Sequence, residues 1–407
     1  MPRENAPRRR AHPRCAIGGI LFWVALVCAA ASASAQKPCT PAFPLQAGSA
    51  LGWQGADAAY SIPLPDGRDV WIFGDTLYGP ARSVSGEAPR QVHNSLGIST
   101  CRNGVWTLED VLRHDAAGHA QSFFTPADPR HWYWALDGFV ANGDLWVTLL
   151  CIRPAPASQP GAMGFETCGS DLARISHLDR DPQQWSVKIL PLVADGMHAY
   201  PSATTLVKGG YAYLFALYEH GSRPLLATRI PLGKLSMPAQ SIEFLAADGE
   251  WKPGFDPAHA LEVMTHGSTE LSIRYHPDLH RWLAVLFEPS GFYNKVILRT
   301  APALTGPWSA GQTIYHVPEM QPGPTHDKNV FCYAAKEHPE FEAPGELLFT
   351  YVCNTMDVPE LTRRLDLYHP RAVRLPMPFL QPSTERSQGS LLVTPPDARR
   401  QPNSGRK

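Results

Sequence analysis

The stretch GADAAYSIPLPDGRDVWIFGDT, residues 55–76, places one acid in each of two runs suited to β-strands. Asp57 opens the first run, Asp75 closes the second, and Pro65-Asp66-Gly67 between them is typical of a tight turn. If the runs pair antiparallel, both carboxylates lie at the same edge of a sheet. Neighbouring carboxyl groups repel, so one can hold a proton while the other is ionised. The spacing therefore predicts an acid–base pair.

Three further acids stand beside strand-like runs. Asp137 lies in WYWALDGF, Glu219 follows YLFALY, and Glu270 lies in GSTELS. Asp137 precedes a glycine and also fits a turn, and His220-Gly221 after Glu219 also fits an ordinary loop. Glu270 interrupts an apolar alternating strand, where a glutamate is rarely buried unless it is paired. The predicted catalytic residues are Asp57, Glu270, Asp75, Asp137 and Glu219.

Aromatic, histidine and amide side chains near these acids form a second candidate set. Indole and phenol rings can serve as platforms for ligands, although core packing explains them equally well. A lone histidine is more often structural than functional. The predicted substrate-binding residues are Trp53, His93, Asn94, Trp134, Tyr200, His266, Tyr293, His326 and Asp327.

Short aromatic and β-branched runs recur five times, each after a turn signal: DVWIFGD, DLWVTLLC, YAYLFALYE, RWLAVLFEP and ELLFTYVC. A strand candidate precedes and another follows each run, and such a repeat is typical of propeller blades of about 50 residues plus loops. The units begin near Asp57, Asp137, Ser202, Glu270 and Asp327. Helical candidates are short, such as Leu108 to Arg113. The pattern predicts an all-β, five-bladed β-propeller over residues 52–378, ahead of a sandwich or a larger propeller.

The composition and the two termini limit the functional class. The 407 residues are 44% apolar with a formal net charge of -1, and no basic patch beyond the N-terminus suggests nucleic-acid binding. Residues 1–35 combine an arginine-rich start, an apolar run and Ala33-Ser34-Ala35, which predicts a cleaved signal peptide rather than a membrane anchor. Residues 36–51 form a lead-in, and residues 379–407 are predicted to be disordered. We expect a periplasmic or secreted protein without a membrane contact after cleavage.

Six cysteines remain after the predicted cleavage, an even number that suits an oxidising compartment. Cys332 and Cys353 are roughly equidistant from a hairpin turn, and Cys151 and Cys168 flank a loop rich in Pro, Gly and Ala. Cys39 and Cys101 remain as a third pair, with free buried thiols as the alternative. The sequence has no CxxC pair of the zinc-finger kind.

The stretch GADAAYSIPLPDGRDVWIFGDT resembles the first blade of exported bacterial families related to the five-bladed propeller glycosidases, which include arabinanases, β-xylosidases and fructan enzymes. ELSIRYHPDLHRWLAVLF followed by ALTGPWSAGQTIY is similar to their fourth blade. The resemblance covers most of Gly52 to Pro378. Some of these families are known only as domains of unknown function, and certain relatives cleave D-arabinan. The resemblance implies an exported glycoside hydrolase acting on a polysaccharide, with arabinofuranose polymers as the first candidates.

The resemblance also implies roles for the acids at the propeller axis. Related enzymes use a blade-one aspartate as base, a blade-two aspartate as pKa tuner and a blade-three glutamate as acid. Asp57 and Asp137 match the first two by blade order. Blade three of this chain begins with His198-Ala199-Tyr200-Pro201-Ser202 instead. Glu270 or Glu219 is therefore expected to be the acid and Asp57 the base or nucleophile, while the remaining acids tune them.

No cofactor is predicted, although a structural calcium facing the blade-five His326 at the axis would match some related arabinanases. The predicted partner is a polysaccharide or oligosaccharide, and the chain is expected to be a monomer that binds no nucleic acid. The alternative is a catalytically silent carbohydrate-binding propeller, or a docking module of the cell envelope. An enzyme requires an acid pair that converges in an open funnel.

Overall fold

The computed structural model describes residues 39–43, 52–79, 90–156, 164–289, 294–323, 327–361, 364 and 366–377. The predicted signal peptide, most of the lead-in and the predicted C-terminal tail lie outside these residues. No helix within the described ranges is long and apolar enough to cross a membrane.

Five antiparallel sheets follow one another along the chain. The first contains β1 (Trp53–Pro63), β2 (Arg68–Tyr78), β3 (Arg90–Val92), β4 (Ser95–Arg102) and β5 (Val105–Val111). A two-stranded ribbon follows, with β6 (Arg113–His114) and β7 (Ala120–Gln121). The second sheet contains β8 (Trp132–Ala141), β9 (Asp144–Pro154), β10 (Phe165–Ser176) and β11 (Ser186–Val193).

The third sheet contains β12 (Ala199–Lys208), β13 (Tyr211–Tyr218), β14 (Leu225–Pro231), β15 (Glu243–Leu245), β16 (Trp251–Pro253) and β17 (Glu262–Met264). The fourth contains β18 (Ser272–His276), β19 (Arg281–Phe287), β20 (Lys295–Ala301) and β21 (Gln312–His316). The fifth contains β22 (Val330–Glu337), β23 (Glu346–Thr355) and β24 (Arg371–Pro376).

Helical structure in the described residues is limited to single turns. Two are α-helical, Pro238–Ser241 and Val358–Leu361. The others are 3-10 turns: Pro182–Gln184, Leu232–Lys234, Pro257–His259, Pro277–Leu279, Pro318–Met320 and Pro339–Phe341.

The first strands of the five sheets form a closed ring. β1 contacts β8, β8 contacts β12, β12 contacts β18, β18 contacts β22, and β22 returns to β1. Each sheet is therefore one blade, and the predicted five-bladed β-propeller is confirmed. The predicted helix over Leu108 to Arg113 is wrong, because β5 pairs along its length with β4 and its side chains alternate between more and less exposed positions. Cross-strand pairing outweighs the local helical pattern there.

The predicted hairpin at the start of blade one is also present. Within its turn, the Leu64 N–H donates to the Arg68 carbonyl at 2.8 Å, and Gly67 adopts a φ of 85°. The pairing brings Ala56 opposite Thr76, so the start of β1 lies beside the end of β2. Asp57 and Asp75 are therefore held at one edge of the sheet, as their spacing predicts.

Buried apolar side chains hold neighbouring blades together. The ring closes between blades five and one, where Trp71 stacks on Phe341 with ring centroids 5.7 Å apart. Trp71 also stacks on His338, with centroids 5.1 Å apart. The N-terminal segment adds Phe43, whose ring meets the Trp71 ring edge-on at 5.5 Å. Burial of these rings fixes blade five against blade one.

All three predicted disulfides are present: Cys39–Cys101, Cys151–Cys168 and Cys332–Cys353. The first ties the segment before blade one to β4 and the second bridges β9 and β10. The third joins opposing residues of β22 and β23. Three disulfides are typical of a protein from an oxidising compartment such as the periplasm or the exterior.

Replacing Phe341 with alanine is expected to lower the free energy of unfolding by about 3–5 kcal/mol, because it opens a cavity at the closure between blades. Phe341 is 2% exposed. Urea denaturation measures the change. Val105→Ala on β5 is the control, since Val105 is 61% exposed and should change stability by less than about 0.5 kcal/mol. Equal unfolding midpoints for Phe341→Ala and wild type would contradict this account of closure.

Candidate active site

The acids of blade one lie at the end of the inner ring where β1 begins and β2 ends, which we call the upper end. Asp57 is the fifth residue of β1 and Asp75 is near the end of β2. Glu270 approaches from the segment just before β18. Both Asp75 and Glu270 lie near enough to Asp57 to raise its pKa by charge repulsion. Three of the five predicted catalytic acids therefore converge.

The position of Asp57 depends on an irregular stretch of β1. The pairing with β2 shifts register on both sides of Ala58, and Ala58 and Ala59 have left-handed φ values of 60° and 59°. The carboxylate of Asp57 lies over Gly74, where a Cβ atom would be 2.3 Å from Asp57 Oδ1. Only a glycine at position 74 leaves room for this carboxylate.

Asp57 retains a proton at neutral pH. Burial raises its pKa to about 8, with further contributions from the charges of Asp75 and Glu270. The Tyr333 hydroxyl donates to Asp57 Oδ2 at 2.7 Å and opposes this rise. A carboxyl group that stays protonated near pH 7 can act as a general acid.

The Asp75 carboxylate is more accessible than that of Glu270, whose side chain is 12% exposed. Its side chain is 26% exposed, and Oδ1 lies 3.0 Å from Nδ1 of His93, whose side chain is 41% exposed. The His93 ring stacks on Trp132 with centroids 4.8 Å apart. The Tyr368 hydroxyl donates to the Asp75 carbonyl at 3.0 Å, which fixes the backbone from the side of blade five.

Glu270 is paired with a buried lysine that the sequence reasoning did not identify. Lys336 of β22 is 1% exposed and donates to Glu270 Oε2 at 3.0 Å and to the Ala334 carbonyl at 2.7 Å. It also donates to the Ala58 carbonyl, and its ammonium lies 4.4 Å from the centre of the Tyr60 ring. Burial lowers the pKa of Lys336. This cation partly offsets the negative charge that the acids bring to the upper end.

Asp137 lies deeper and is closed to solvent. Its Oδ2 accepts from the Thr205 N–H at 2.7 Å, from Thr204 Oγ1 at 2.9 Å and from Arg274 Nη2 at 3.3 Å. Its Oδ1 accepts from the Gly138 N–H at 2.8 Å. The side chain joins the inner strands of blades two, three and four, so any effect on a reaction acts through charge rather than contact.

Several predicted substrate-binding residues are used in packing. Asn94 is fully buried, where its amide donates to the carbonyls of Phe124 and Tyr133 and its oxygen accepts from the Phe124 N–H. Trp53 is 6% exposed and stacks on His369. These side chains position loops and blades and do not face a ligand in this arrangement.

The remaining predicted residues occupy varied positions. Tyr200 is 6% exposed on β12, and Trp134 meets the Phe165 ring edge-on at 4.8 Å. Glu219 and His266 are exposed. Asp327 is partly exposed and pairs with Arg364 at 3.5 Å. Tyr293 and His326 lie outside the described residues.

Four residues near the acids were not among the predictions: Tyr333, Lys336, Tyr368 and Arg274. The tyrosines resemble ordinary core residues in sequence, and no local pattern marks them. Lys336 does carry a signal, because it follows the apolar run VFCYAA within a strand. A lysine in such a place is rarely buried without a partner.

One group of described residues has the spacing of metal ligands without involving a disulfide. It consists of His276, Glu337 and Glu342, whose ligand atoms lie within 4.8 Å of one another. His276 Nε2 already contacts Glu337 Oε1, and burial together with the charge of Glu337 raises the pKa of Glu342 to about 9. These three side chains pair with one another, His276 and Glu342 each with Glu337. They lie at the end of β18 and β22 that is far from the acids.

Replacing Asp57 with asparagine is expected to stabilise the protein relative to wild type by a margin that grows from pH 5 to pH 8. Folded Asp57 keeps its proton up to about pH 8, whereas the unfolded chain releases it near 3.8. Folding therefore takes up a proton between these values, and wild-type stability falls as the pH rises. Asparagine carries no such proton.

Urea unfolding at pH 5 and pH 8 measures this margin. Asp66→Asn in the exposed turn of the same hairpin is the control, since Arg68 lowers the pKa of Asp66 and it stays ionised across this range. A margin for Asp57→Asn that does not change with pH would show that Asp57 is not protonated in the folded protein.

Comparisons with known proteins agree with this architecture. A family described as a domain of unknown function, DUF5005, matches residues 47–378. No curated protein matches the chain. A crystal structure of a proposed hydrolase from Bacteroides ovatus is 17% identical, with a TM-score of 0.61 over 80% of this chain and 86% of that one. At this identity the likeness concerns the fold.

Two more distant structures are also similar. One is an exo-1,5-α-L-arabinanase from a bovine ruminal metagenomic library, 12% identical with a TM-score of 0.40, over 79% of this chain and 93% of that one. The other is a family 117 glycoside hydrolase from Zobellia galactanivorans, 12% identical with a TM-score of 0.41, over 83% and 87%. On the match over residues 47–378, the chain belongs to the DUF5005 family.

Proposed function

We propose that this protein is an exported glycoside hydrolase that cleaves a polysaccharide at the upper end of its propeller. The observation that carries the proposal is the convergence of Asp57, with a pKa of about 8, and two further carboxyl groups, Asp75 and Glu270. Glycosidic hydrolysis needs one protonated carboxylic acid and one ionised carboxylate in a shared site.

In this proposal Asp57 is the general acid. This reverses the role expected from the resemblance, in which Asp57 is the base and Glu270 the acid. The reason is electrostatic: Asp57 holds its proton near neutral pH, whereas Glu270 accepts a hydrogen bond from the Lys336 ammonium at 3.0 Å. Glu270 Oε2 is the acceptor in that contact, so this oxygen is not available to donate a proton to a substrate.

Asp75 is the proposed base or nucleophile. Its carboxylate is more exposed than that of Glu270, and the neighbouring His93 ring holds Oδ1 in place. Asp57 would pass its proton to the leaving glycosidic oxygen as the bond from the anomeric carbon to that oxygen breaks. Asp75 would attack that carbon directly or take a proton from the attacking water. Glu270 and Asp137 contribute negative charge near the developing oxocarbenium ion.

The substrate class follows from the resemblance of blades one and four to the propeller glycosidases. A furanose-rich polymer, with arabinofuranose first, is the proposed substrate. The stacked His93 and Trp132 rings beside Asp75 offer a flat surface of the kind that sugars contact. The carboxyl separation during catalysis would decide stereochemistry, with about 5 Å giving retention and about 6.5 Å or more giving inversion.

Asp57→Asn and Asp75→Asn are each expected to lower kcat/KM by about 10²- to 10⁴-fold, because each removes a group that transfers a proton or bonds to the substrate. Reducing-end release from arabinans, xylans and fructans measures activity, and proton NMR of the first product gives the anomer. Asp66→Asn at the opposite end of the hairpin is the matched control and should keep wild-type activity.

Glu270→Gln distinguishes the two assignments of roles. If Glu270→Gln lowers kcat/KM less than the two aspartate variants do, Asp57 and Asp75 are the reacting pair. If it lowers kcat/KM equally or more, Glu270 is the general acid. Wild-type protein that binds these polymers without releasing reducing ends would overturn the hydrolase proposal in favour of a carbohydrate-binding propeller.

Activity is expected to decline above about pH 8, where free Asp57 loses its proton. The basic limb of a plot of kcat/KM against pH reports this ionisation. Lys336→Met should move that limb to higher pH, because loss of the nearby ammonium makes ionisation of Asp57 less favourable. A basic limb that is unchanged in Lys336→Met would remove Lys336 from the electrostatics of the site.

A further inference from the structure

A second site lies away from the axis, in a groove between blades three and four. The groove has a volume of about 760 Å³ and runs between β17 and the segment 305–311 that follows β20. Its lining includes Arg299 of β20 and Trp308. None of the groove residues belongs to the acid cluster at the upper end.

Arg299 is a buried cation that has no anion beside it in the part of the chain that the structure describes. It is 9% exposed, and its Nη1 donates to the Thr265 carbonyl at 2.8 Å. Its Nε has no acceptor among the described residues and is closed to solvent, so the Nη groups are the part of the guanidinium that a ligand could reach. No described carboxylate forms an ion pair with Arg299. Arg229 pairs with Glu243 at 2.7 Å and Arg374 with Glu346 at 2.7 Å. Arg113, in contrast, resembles Arg299 in having a buried Nε without an acceptor among the described residues. Burial lowers the pKa of Arg299, with no charged neighbour acting against it.

A buried guanidinium without a counter-charge is costly, and proteins normally supply an acid, a carbonyl or a ligand. Arg299 has one carbonyl and retains unused donors. Trp308 lines the same groove, and its indole N–H also has no acceptor among the described residues. The Trp308 ring packs half-buried against the apolar cluster between the two blades. One wall of the groove thus holds a cation and an aromatic ring, while the indole N–H itself is closed to solvent.

The geometry points to a binding site for the carboxylate of an acidic sugar residue. The guanidinium fork matches the two oxygens of a carboxylate, and the indole suits the flat face of a pyranose or furanose ring. Thr265 and Thr305 in the lining offer hydroxyl partners for sugar hydroxyl groups. The inference that the ligand is an anion rests on Arg299 alone. The inference that it is a sugar rests on the proposed polysaccharide function.

Glu262 allows a second test of whether the groove binds an anion. It lines the groove, is exposed and carries a negative charge that opposes an anionic ligand. Removing that charge should strengthen binding, whereas removing the charge of Arg299 should weaken it. A role for these residues in packing alone predicts neither change.

Isothermal titration in the Asp57→Asn background, which avoids hydrolysis, tests the site with trigalacturonate. We expect trigalacturonate to bind at least tenfold more tightly than its methyl ester, which has the same shape without the charge. Arg299→Gln should weaken trigalacturonate binding at least tenfold, because charge-assisted hydrogen bonds are lost. Arg281→Gln, an exposed arginine of the same blade, should leave binding unchanged.

Glu262→Gln should bind trigalacturonate about two- to fivefold more tightly, as expected for removal of one exposed like charge. Trp308→Leu, which removes the aromatic ring that lines the groove, should bind it more weakly. These two variants keep the test decisive if Arg299→Gln does not fold. Equal affinity for acid and ester, or unchanged binding in Arg299→Gln, overturns the proposal. Binding of inorganic sulfate without trigalacturonate binding overturns the assignment to a sugar.

Failure of this site and failure of the proposed hydrolase activity are separable. Arg299→Gln is expected to hydrolyse a neutral polymer at the wild-type rate, and Asp57→Asn is expected to retain groove binding. Loss of groove binding with intact hydrolysis would refute only the second site, and the converse would refute only the first.

Discussion

The contact on which the upper end depends is that of Lys336 with blade one. Its ammonium reaches across the closure of the ring, from β22 to the Ala58 carbonyl in β1, and also binds Glu270 from blade four. One buried cation therefore connects three blades at the point where the acids meet. That positive charge compensates the carboxyl groups that meet there in a partly desolvated space. The Lys336 side chain therefore both links blade five to blade one and supplies positive charge to the acids.

The charges along the axis are arranged as local pairs. Lys336 is matched with Glu270 at the upper end, Arg274 with Asp137 below it, and His276 with Glu337 at the far end. Each pair bridges different blades, so each holds two inner strands at a fixed separation. Buried ion pairs add little net stability compared with apolar packing, but they penalise any register that separates the partners. The apolar layers between blades supply the cohesion, and the pairs select one alignment.

The sequence predicts the fold well and the site in part. Period-two alternation and turn signals are local properties, so the five blades, the hairpin at Asp66-Gly67 and the three disulfides follow from them. The helix predicted over Leu108 to Arg113 is wrong because pairing with β4, which lies elsewhere in the sequence, sets the conformation of this stretch. Asp57 and Asp75 are predictable because a single hairpin brings them together. Tyr333 meets Asp57, and Lys336 meets the Ala58 carbonyl, only through closure of the ring, and no short stretch of sequence encodes these contacts.

The close approach of Asp57 to Gly74 carries a consequence for how this site can change. A Cβ at position 74 and the carboxylate at position 57 would occupy the same space, 2.3 Å apart. The two positions are therefore not free to vary independently. A side chain at 74 becomes acceptable only after the acid at 57 has been lost or moved, and the acid cannot return while that side chain remains. Glycine at 74 is therefore the residue that permits an acid at 57 in this position, and regaining that acid after a substitution at 74 would require glycine to be restored as well.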